Sequence, residues 1–231
     1  MKKQKTKTIV MSVGGSIIVP DDIDVQFLKN FKKLVDQITK KGHRLIIVCG
    51  GGKTCRKYQK AASEIASPSG KELDLLGIAS TKLNAFFIKT IFGEDASDVI
   101  ENDPKKAIKT NKKIIISAGW DPGHSTDWDA VMLGKYFKAD AVLNLFDLDY
   151  VYDKNPKEFS DAKPIKEMAW KDFRKNIVGS KWVPGKNVPF DPIAAEIAEK
   201  NKIEVVIMNG RNLDNLQKFL EGKEFKGTVI R

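Results

Sequence analysis

The sequence is poor in the residues that carry most metal and nucleophile chemistry, with two histidines and two cysteines in 231 residues. Cys49 and Cys55 form no metal spacing and need not pair, which fits a reducing cytoplasm. His43 precedes an apolar run and reads as a surface residue. No apolar stretch approaches the roughly 20 residues that a membrane helix needs, so no membrane partner is expected. The basic start, Met1 to Lys7, looks like the opening of a signal peptide, but Gly14 and Gly15 break the apolar segment behind it and no small-residue cleavage site follows. There is no internal repeat and no low-complexity segment. Two familiar nucleotide motifs are missing as well. A Walker A loop would need a glycine where Ile47 stands, and the dinucleotide fingerprint would need one where Cys55 stands. The net charge of +10 is spread over lysines interleaved with acids, as at Lys105-Lys106, Lys112-Lys113 and Lys223-Glu224. With no nucleic-acid motif beside it, this charge reads as solvated surface.

What is present begins with Gly50-Gly51-Gly52-Lys53, directly behind the apolar run Leu45 to Cys49. A β-branched run entering glycines and then a polar helix reads as a buried parallel strand, a tight turn and a helix N-terminus. Such a terminus offers backbone N–H groups and a positive dipole end to an anion, and glycines let the chain approach it closely. Lys53 and Arg56 add positive charge, with Arg56 one turn along. The plainer alternative is a connecting turn, for which one glycine would suffice.

Apolar runs recur at Thr8–Val13, Ile114–Ser117, Ala141–Phe146, Val205–Met208 and Gly227–Ile230. Helical periodicity lies between them, over Leu28 to Ile38, Asp74 to Phe92, Asp127 to Phe137, Asp191 to Lys200 and Arg211 to Glu221. Alternation of this kind predicts an α/β fold, a three-layer α/β/α sandwich with a mostly parallel central sheet. Ligands would bind beyond the carboxyl ends of its strands. The segment Asp147 to Pro189 has the weakest pattern and reads as an irregular excursion near a site.

Two further loops follow strand ends. Val13-Gly14-Gly15-Ser16 is a second glycine turn. Trp120-Asp121-Pro122-Gly123-His124-Ser125-Thr126-Asp127 is rich in turn formers and hydroxyls. Ser125 or Thr126 could cap the next helix, with Asp127 in its first turn, or the loop could hold a second phosphate. His124 has no recognisable Ser or Cys nucleophile as partner, so a positioning role is preferred for it. Three such loops suit two anions held face to face, as phosphoryl transfer requires.

These residues, with Asp74-Leu75-Leu76-Gly77-Ile78, Lys138-Ala139-Asp140, Asp149-Tyr150-Val151-Tyr152, Asn155-Pro156 and Phe190-Asp191-Pro192, carry a resemblance over nearly the whole chain. The sequence resembles the amino acid kinase family, and within it the archaeal type of uridylate kinase. The resemblance implies one domain over residues 1–231, with an acceptor-binding half to about residue 140 and an ATP-binding half after it. It implies Mg2+-dependent transfer of the ATP γ-phosphoryl to UMP in pyrimidine nucleotide biosynthesis, and a cytoplasmic homohexamer. By position, Gly15, Ser16 and Gly52 would touch ATP phosphates, Gly51 would touch UMP, and Arg56 would hold phosphate. Asp74 would accept from the UMP ribose, and Trp120, Asp121, Pro122, Gly123, His124, Ser125 and Thr126 would line the UMP site. Asp127 would organise the reacting centre, and Asp147, Tyr152 and Asn155 would contact adenosine. No metal ligand is assigned. Ser12 stands where many members carry a lysine, so Lys53 or Lys186 is expected to supply the lost charge. Phe146, Asp147, Tyr150 and Asn155 also depart from the usual residues. They leave open a same-fold kinase with another acceptor, such as isopentenyl phosphate, or a non-catalytic nucleotide sensor.

Overall fold

The structure is a computed structural model that describes residues 6–100, 103–104, 110–181 and 188–231. Lys186, the Lys105-Lys106 pair and Met1 to Lys5 of the basic start lie outside the described residues. In chain order the first half comprises β1 (Thr8–Val13), α1 (Gly15–Ile18), α2 (Val25–Lys40), β2 (Arg44–Cys49), α3 (Gly52–Ile65) and α4 (Gly70–Phe92). β3 (Ala96–Ile100), β4 (Ile114–Ser117), α5 (Thr126–Phe137) and β5 (Ala141–Phe146) follow. Next come β6 (Val151–Tyr152), β7 (Pro164–Ile165), β8 (Glu167–Met168) and α6 (Trp170–Phe173). The chain closes with α7 (Pro192–Lys200), β9 (Val205–Asn209), α8 (Leu213–Leu220) and β10 (Thr228–Ile230).

Eight strands form one sheet in the order β3-β4-β2-β1-β5-β9-β10-β8. All neighbours are parallel except β9 and β10, which run antiparallel. Strand alternation assigns each residue to a face. Ile9, Met11, Val13, Leu45, Ile47 and Cys49 join α2, α4 and α8 in one core, while Val10, Ile46 and Val48 join α5, α6 and α7 in the other. Both faces are therefore covered, and the near-continuous apolar strands follow from that. The expected three-layer α/β/α architecture is the one found.

Several expectations need correction. The edge strand β3 is absent from the sequence pattern, which Ser97 and Asp98 interrupt. The weakly patterned segment after Asp147 contains the separate antiparallel β6–β7 ribbon, β8, α6 and a π-helical turn at Arg174–Val178. Trp170, Phe173, Val178 and Phe190 from this region are buried in the second core. α4 begins before Asp74, because Ser69 and Glu72 form a reciprocal capping box. With the turn after it, α4 spans Gly70–Asp95 and is by length and composition apolar enough to cross a membrane. A core helix of a globular protein passes the same measure, and Lys82 and Lys89 interrupt the apolar run of α4. α4 packs on the sheet through Ala85, Ile88 and Phe92.

The two glycine turns meet because β1 and β2 are parallel neighbours with Val13 opposite Cys49. Gly50 N–H donates to the Val13 carbonyl at 2.9 Å. A Cβ on Gly15 would lie 2.1 Å from Gly52 N and 2.5 Å from Gly50 O, all backbone. Gly52 also has φ +64°, which favours glycine. Gly15→Ala is therefore expected to lower stability by roughly 1–3 kcal/mol or more, since backbone must move to make room. Gly77→Ala within α4 meets only ordinary contacts, the nearest being Cys55 Sγ at 3.5 Å. It should be neutral or raise stability by up to ~1 kcal/mol through helix propensity. Denaturant titration of both variants compares the two sites directly.

Candidate active site

The joined turns place two helix N-termini side by side. α1 and α3 begin after Gly14 and Gly51, and neither has a side-chain cap. By contrast, α5, α7 and α8 are capped by Ser125, Asp191 and Asn212. Uncapped first-turn N–H groups are available to an anion, and the dipole of the longer helix, α3, favours one there. Asn84 of α4 fixes this arrangement from behind, donating from Nδ2 to the Gly50 carbonyl at 2.7 Å.

A cavity of about 540 Å³ opens in front of these termini. Ser16, Gly51, Gly52, Arg56, Asp74, Asp121, His124, Ser125, Thr126 and Asp147 line it among others. The β4–α5 loop is tied down at both ends. Gly123 N–H donates to Asp74 Oδ2 at 2.8 Å, Gly119 N–H donates to Thr81 Oγ1 at 2.9 Å, and Ser125 N–H donates to Asp191 Oδ2 at 2.6 Å. His124 stacks on Trp128 at 4.0 Å, and Trp128 stacks on Trp120 at 6.0 Å. Burial lowers the His124 pKa, so its imidazole is neutral near pH 7.

Three carboxylates cluster at the cavity wall, Asp129 among its lining residues and Asp127 and Asp191 behind it. Asp129 and Asp191 are buried, at 2% and 1% exposure, and Asp127 is partly buried. Asp191 spends one oxygen on Ile193 and Ala194 N–H at the start of α7. Asp127 accepts from Ser12 Oγ at 2.8 Å and from Asp191 N–H at 3.2 Å. Burial, with the Asp191 charge second, raises the Asp127 pKa to about 7. A lysine in place of Ser12 would oppose that rise; a serine hydroxyl does so only weakly.

The sequence matches the family model described as the amino acid kinase family over residues 7–209. The chain belongs to the amino acid kinase family. It is 31% identical to the uridylate kinase of Methanobrevibacter smithii over 96% of this chain and 98% of that protein. It is 33% identical to the uridylate kinase of Thermococcus onnurineus over the same shares. Among solved structures, uridylate kinase from Archaeoglobus fulgidus superposes with a TM-score of 0.82 at 29% identity, covering 98% of this chain and 100% of the other. UMP kinase from Bacillus anthracis, 19% identical with a TM-score of 0.78 and coverage of 99% and 97%, shares the fold.

Within this amino acid kinase fold the expected residues divide into three groups. Those lining the cavity are named above. Gly15 lies under the cavity floor in the glycine contact, Asp127 lies behind the wall, and Trp120, Pro122 and Gly123 shape the loop without lining the cavity. A third group stands apart. Lys53 was expected at the reacting centre, but it pairs with Asp21 at 2.7 Å, because that carboxylate on the segment after α1 lies within its reach. Tyr152 belongs to the β6–β7 ribbon, and Asn155 is spent within its own turn on Glu158 and the Lys157 N–H. Arg56 is the one Lys or Arg among the described residues lining the cavity. Sequence reasoning missed Thr81, Asp129 and Phe146 as cavity residues and Asn144 as a neighbour of Asp127. For Asp191, the Asp-Pro helix start was the available signal.

Asp127 also sets a pH dependence of stability. Its folded pKa of about 7 lies above the usual carboxylate range near 3.8, so the folded state holds the proton more tightly. Stability from this group falls as pH rises between those values and is lowest above the folded pKa. Asp127→Asn removes the titration while an amide can still bond Ser12 and the Asp191 N–H, since a hydroxyl both donates and accepts. The variant should be more stable than the parent at pH 8, by roughly 1–3 kcal/mol after allowance for its partial exposure. The gain should shrink steadily towards pH 4, which paired thermal melts across that range would measure.

Proposed function

We propose that this chain is a uridylate kinase, a nucleoside monophosphate kinase that transfers the γ-phosphoryl of ATP to UMP and yields UDP and ADP. The observation that carries the reading is the end-to-end similarity to uridylate kinases, joined to a cavity with one anion-binding end. Arg56 and the uncapped α3 terminus supply that end. Positioning and charge neutralisation are what this reaction asks of a protein, with little covalent chemistry from its side chains.

On this reading the acceptor phosphate lies against Arg56, and Asp74 and the β4–α5 loop hold the rest of UMP. The donor phosphates lie along Ser16 and Gly52, with Asp147 on the donor side. Residues to about 140 form the acceptor half and the remainder the ATP half. Asp127 organises the centre through Ser12 and the Asp191 backbone. With serine at position 12 and Lys53 held by Asp21, Arg56 is the cation at hand, and Asp21 must release Lys53 before that residue can contribute. ATP fits the paired helix termini. Among the described residues no group of three or more His, Cys, Asp or Glu side chains is arranged to hold a metal. Mg2+ would therefore enter with the nucleotide, held chiefly by phosphate oxygens, to neutralise their charge.

The free cysteines Cys49 and Cys55 are consistent with a cytoplasmic place in pyrimidine nucleotide synthesis. A homo-oligomer is supported by α3, which buries no residue of its own. Tyr58 and Ile65 on α3, and Leu75, Leu83 and Phe86 on the neighbouring α4, are exposed. By resemblance to the family that assembly reads as a hexamer.

The deciding experiment supplies ATP and Mg2+ with UMP, CMP, dTMP, AMP and isopentenyl phosphate in parallel and follows diphosphate formation. UDP as the main product is expected; no product from any acceptor would instead favour a non-catalytic sensor. Arg56→Ala should weaken UMP binding ~10-fold or more and leave uridine binding within about 2-fold, as expected for loss of a charged hydrogen bond to phosphate. Equal losses for both would show that Arg56 does not read the phosphate. Leu83→Asp should lower the assembly mass seen by light scattering, since burying a lone charge in an apolar contact is strongly unfavourable.

A further inference from the structure

Asn144 is a buried amide inside an apolar strand, and its hydrogen bonds lead to the acid behind the cavity wall. It is 6% exposed, between the buried Ala141, Val142, Leu143 and Leu145 of β5. An amide in such a place is costly unless its hydrogen bonds are met, so its partners indicate its use. Nδ2 donates to the Pro189 carbonyl at 3.0 Å and, over a longer 3.5 Å, to Asp127 Oδ2. A carbonyl only accepts, so the amide must turn its nitrogen towards Pro189. The second N–H on that nitrogen is then left for Asp127.

Two residues beyond Pro189, the Asp191 N–H donates to the same Asp127 oxygen at 3.2 Å. The bond from Asn144 therefore holds the segment entering α7 against β5, and with it the donor that Asp191 offers. The other oxygen, Oδ1, accepts from Ser12 Oγ at 2.8 Å. Ser12 and Asn144 are direct partners in the parallel pairing of β1 and β5. Val10 and Val142, two positions earlier on each strand, lie in the second core, so both polar side chains leave the sheet on the face that α5 covers. The charged neighbours of Asp127 are acids, Asp191 at the α7 cap and Asp129 two residues on. Val48 and Ile207, level with Ser12 and Asn144 on the flanking strands, are uncharged.

We propose that Asn144 is a positioning residue for Asp127, bracing the segment entering α7 against β5 and, with Ser12 on the opposite oxygen, aiming the carboxylate. Neutral donors on both oxygens fix the direction of the group where no cation is present to do so. Small displacements of an organising group are costly in rate even when their cause lies away from the reacting atoms. The inference rests on the uridylate kinase reading for giving Asp127 a reacting centre to organise. Its distinct content is that a strand residue outside the cavity lining sets the orientation of that acid.

Asn144→Leu removes both donated bonds at a similar side-chain volume, and two measurements on the intact protein test it. With ATP, Mg2+ and UMP, turnover should fall ~10-fold or more while the KM for UMP stays within about 3-fold, since the acceptor's own contacts are untouched. Thermal melts from about pH 4 to pH 9 separate positioning from packing. Donors to a carboxylate favour its charged form, so their loss raises its pKa. The point at which the fall of stability with rising pH levels off, about 7 in the parent, should therefore move up by about half a unit or more. A packing defect alone would lower stability equally at every pH and leave that point in place. With Asp127→Asn as the background, Asn144→Leu should shift no such point. An unmoved levelling point would overturn the proposal, as would unchanged turnover in a parent that makes UDP. Asn144→Ser, too short to reach Pro189, carries the same expectations should Asn144→Leu fail to fold. Absence of UDP formation by the parent, with the levelling point shifted in the variant, would remove the kinase reading and leave the placement of Asp127 standing.

Discussion

The backbone contact between the turns after β1 and β2 is the constraint on which the site depends. Gly15 meets Gly50, Gly51 and Gly52 with no space for a single side-chain carbon between them. That closeness follows from two parallel strands in register, each ending in a turn that must pass over the other. Any larger residue at these positions would separate the turns and with them the first residues of α1 and α3. The glycines thus do more than permit an anion to approach. They bring two helix starts close enough to face a single cavity, where the charge of two phosphorylated ligands can be met by backbone groups rather than by a ring of lysines.

This economy of cationic side chains has a counterpart behind the wall. Three acids, two of them buried and Asp127 partly so, surround the start of α5 and the cap of α7, and among the described residues none of them has a Lys or Arg partner. Asp191 is used by the backbone, as a helix cap and as the anchor of the β4–α5 loop. Asp127 keeps only neutral donors, the Ser12 hydroxyl, the Asn144 amide and backbone N–H groups, so desolvation raises its pKa to about 7. Burial raises the Asp129 pKa as well. The centre therefore sits close to a change of charge in the physiological range, where a lysine at position 12 would have held Asp127 ionised. Assembly of the second core follows a similar economy. Trp170, Phe173 and Phe190 come from the least patterned part of the chain, yet they close the sheet face against which α5 and its acids are packed.

The strands, the parallel architecture and the glycine turns were legible in the sequence because each is a local pattern. Apolar runs of strand length, helical periodicity and Gly-Gly steps need no knowledge of distant residues. The order and spacing of the loops then carried the family resemblance, which the comparisons bear out. Edge strand β3 was not legible, because an edge does not require apolar residues on both faces. The ribbon, β8 and α6 were missed because such short elements are held by contacts with remote parts of the chain, not by their own pattern. Lys53 illustrates the limit for single side chains. Its place in the motif suggested the reacting centre, but only the fold brings Asp21 within its reach.

By itself, then, the sequence determined the layer architecture, the three loops at strand ends and the family, since these depend on periodicity and on glycine's lack of a side chain. Only the tertiary structure decided which charges face one another. It brought Ser12 to Asp127 across 115 positions of chain and Ser125 to Asp191 across 66, and it left Asp129 with one unmatched oxygen at a cavity wall. Desolvation and pairing depend on distances between residues far apart in the chain, and no local pattern encodes those distances.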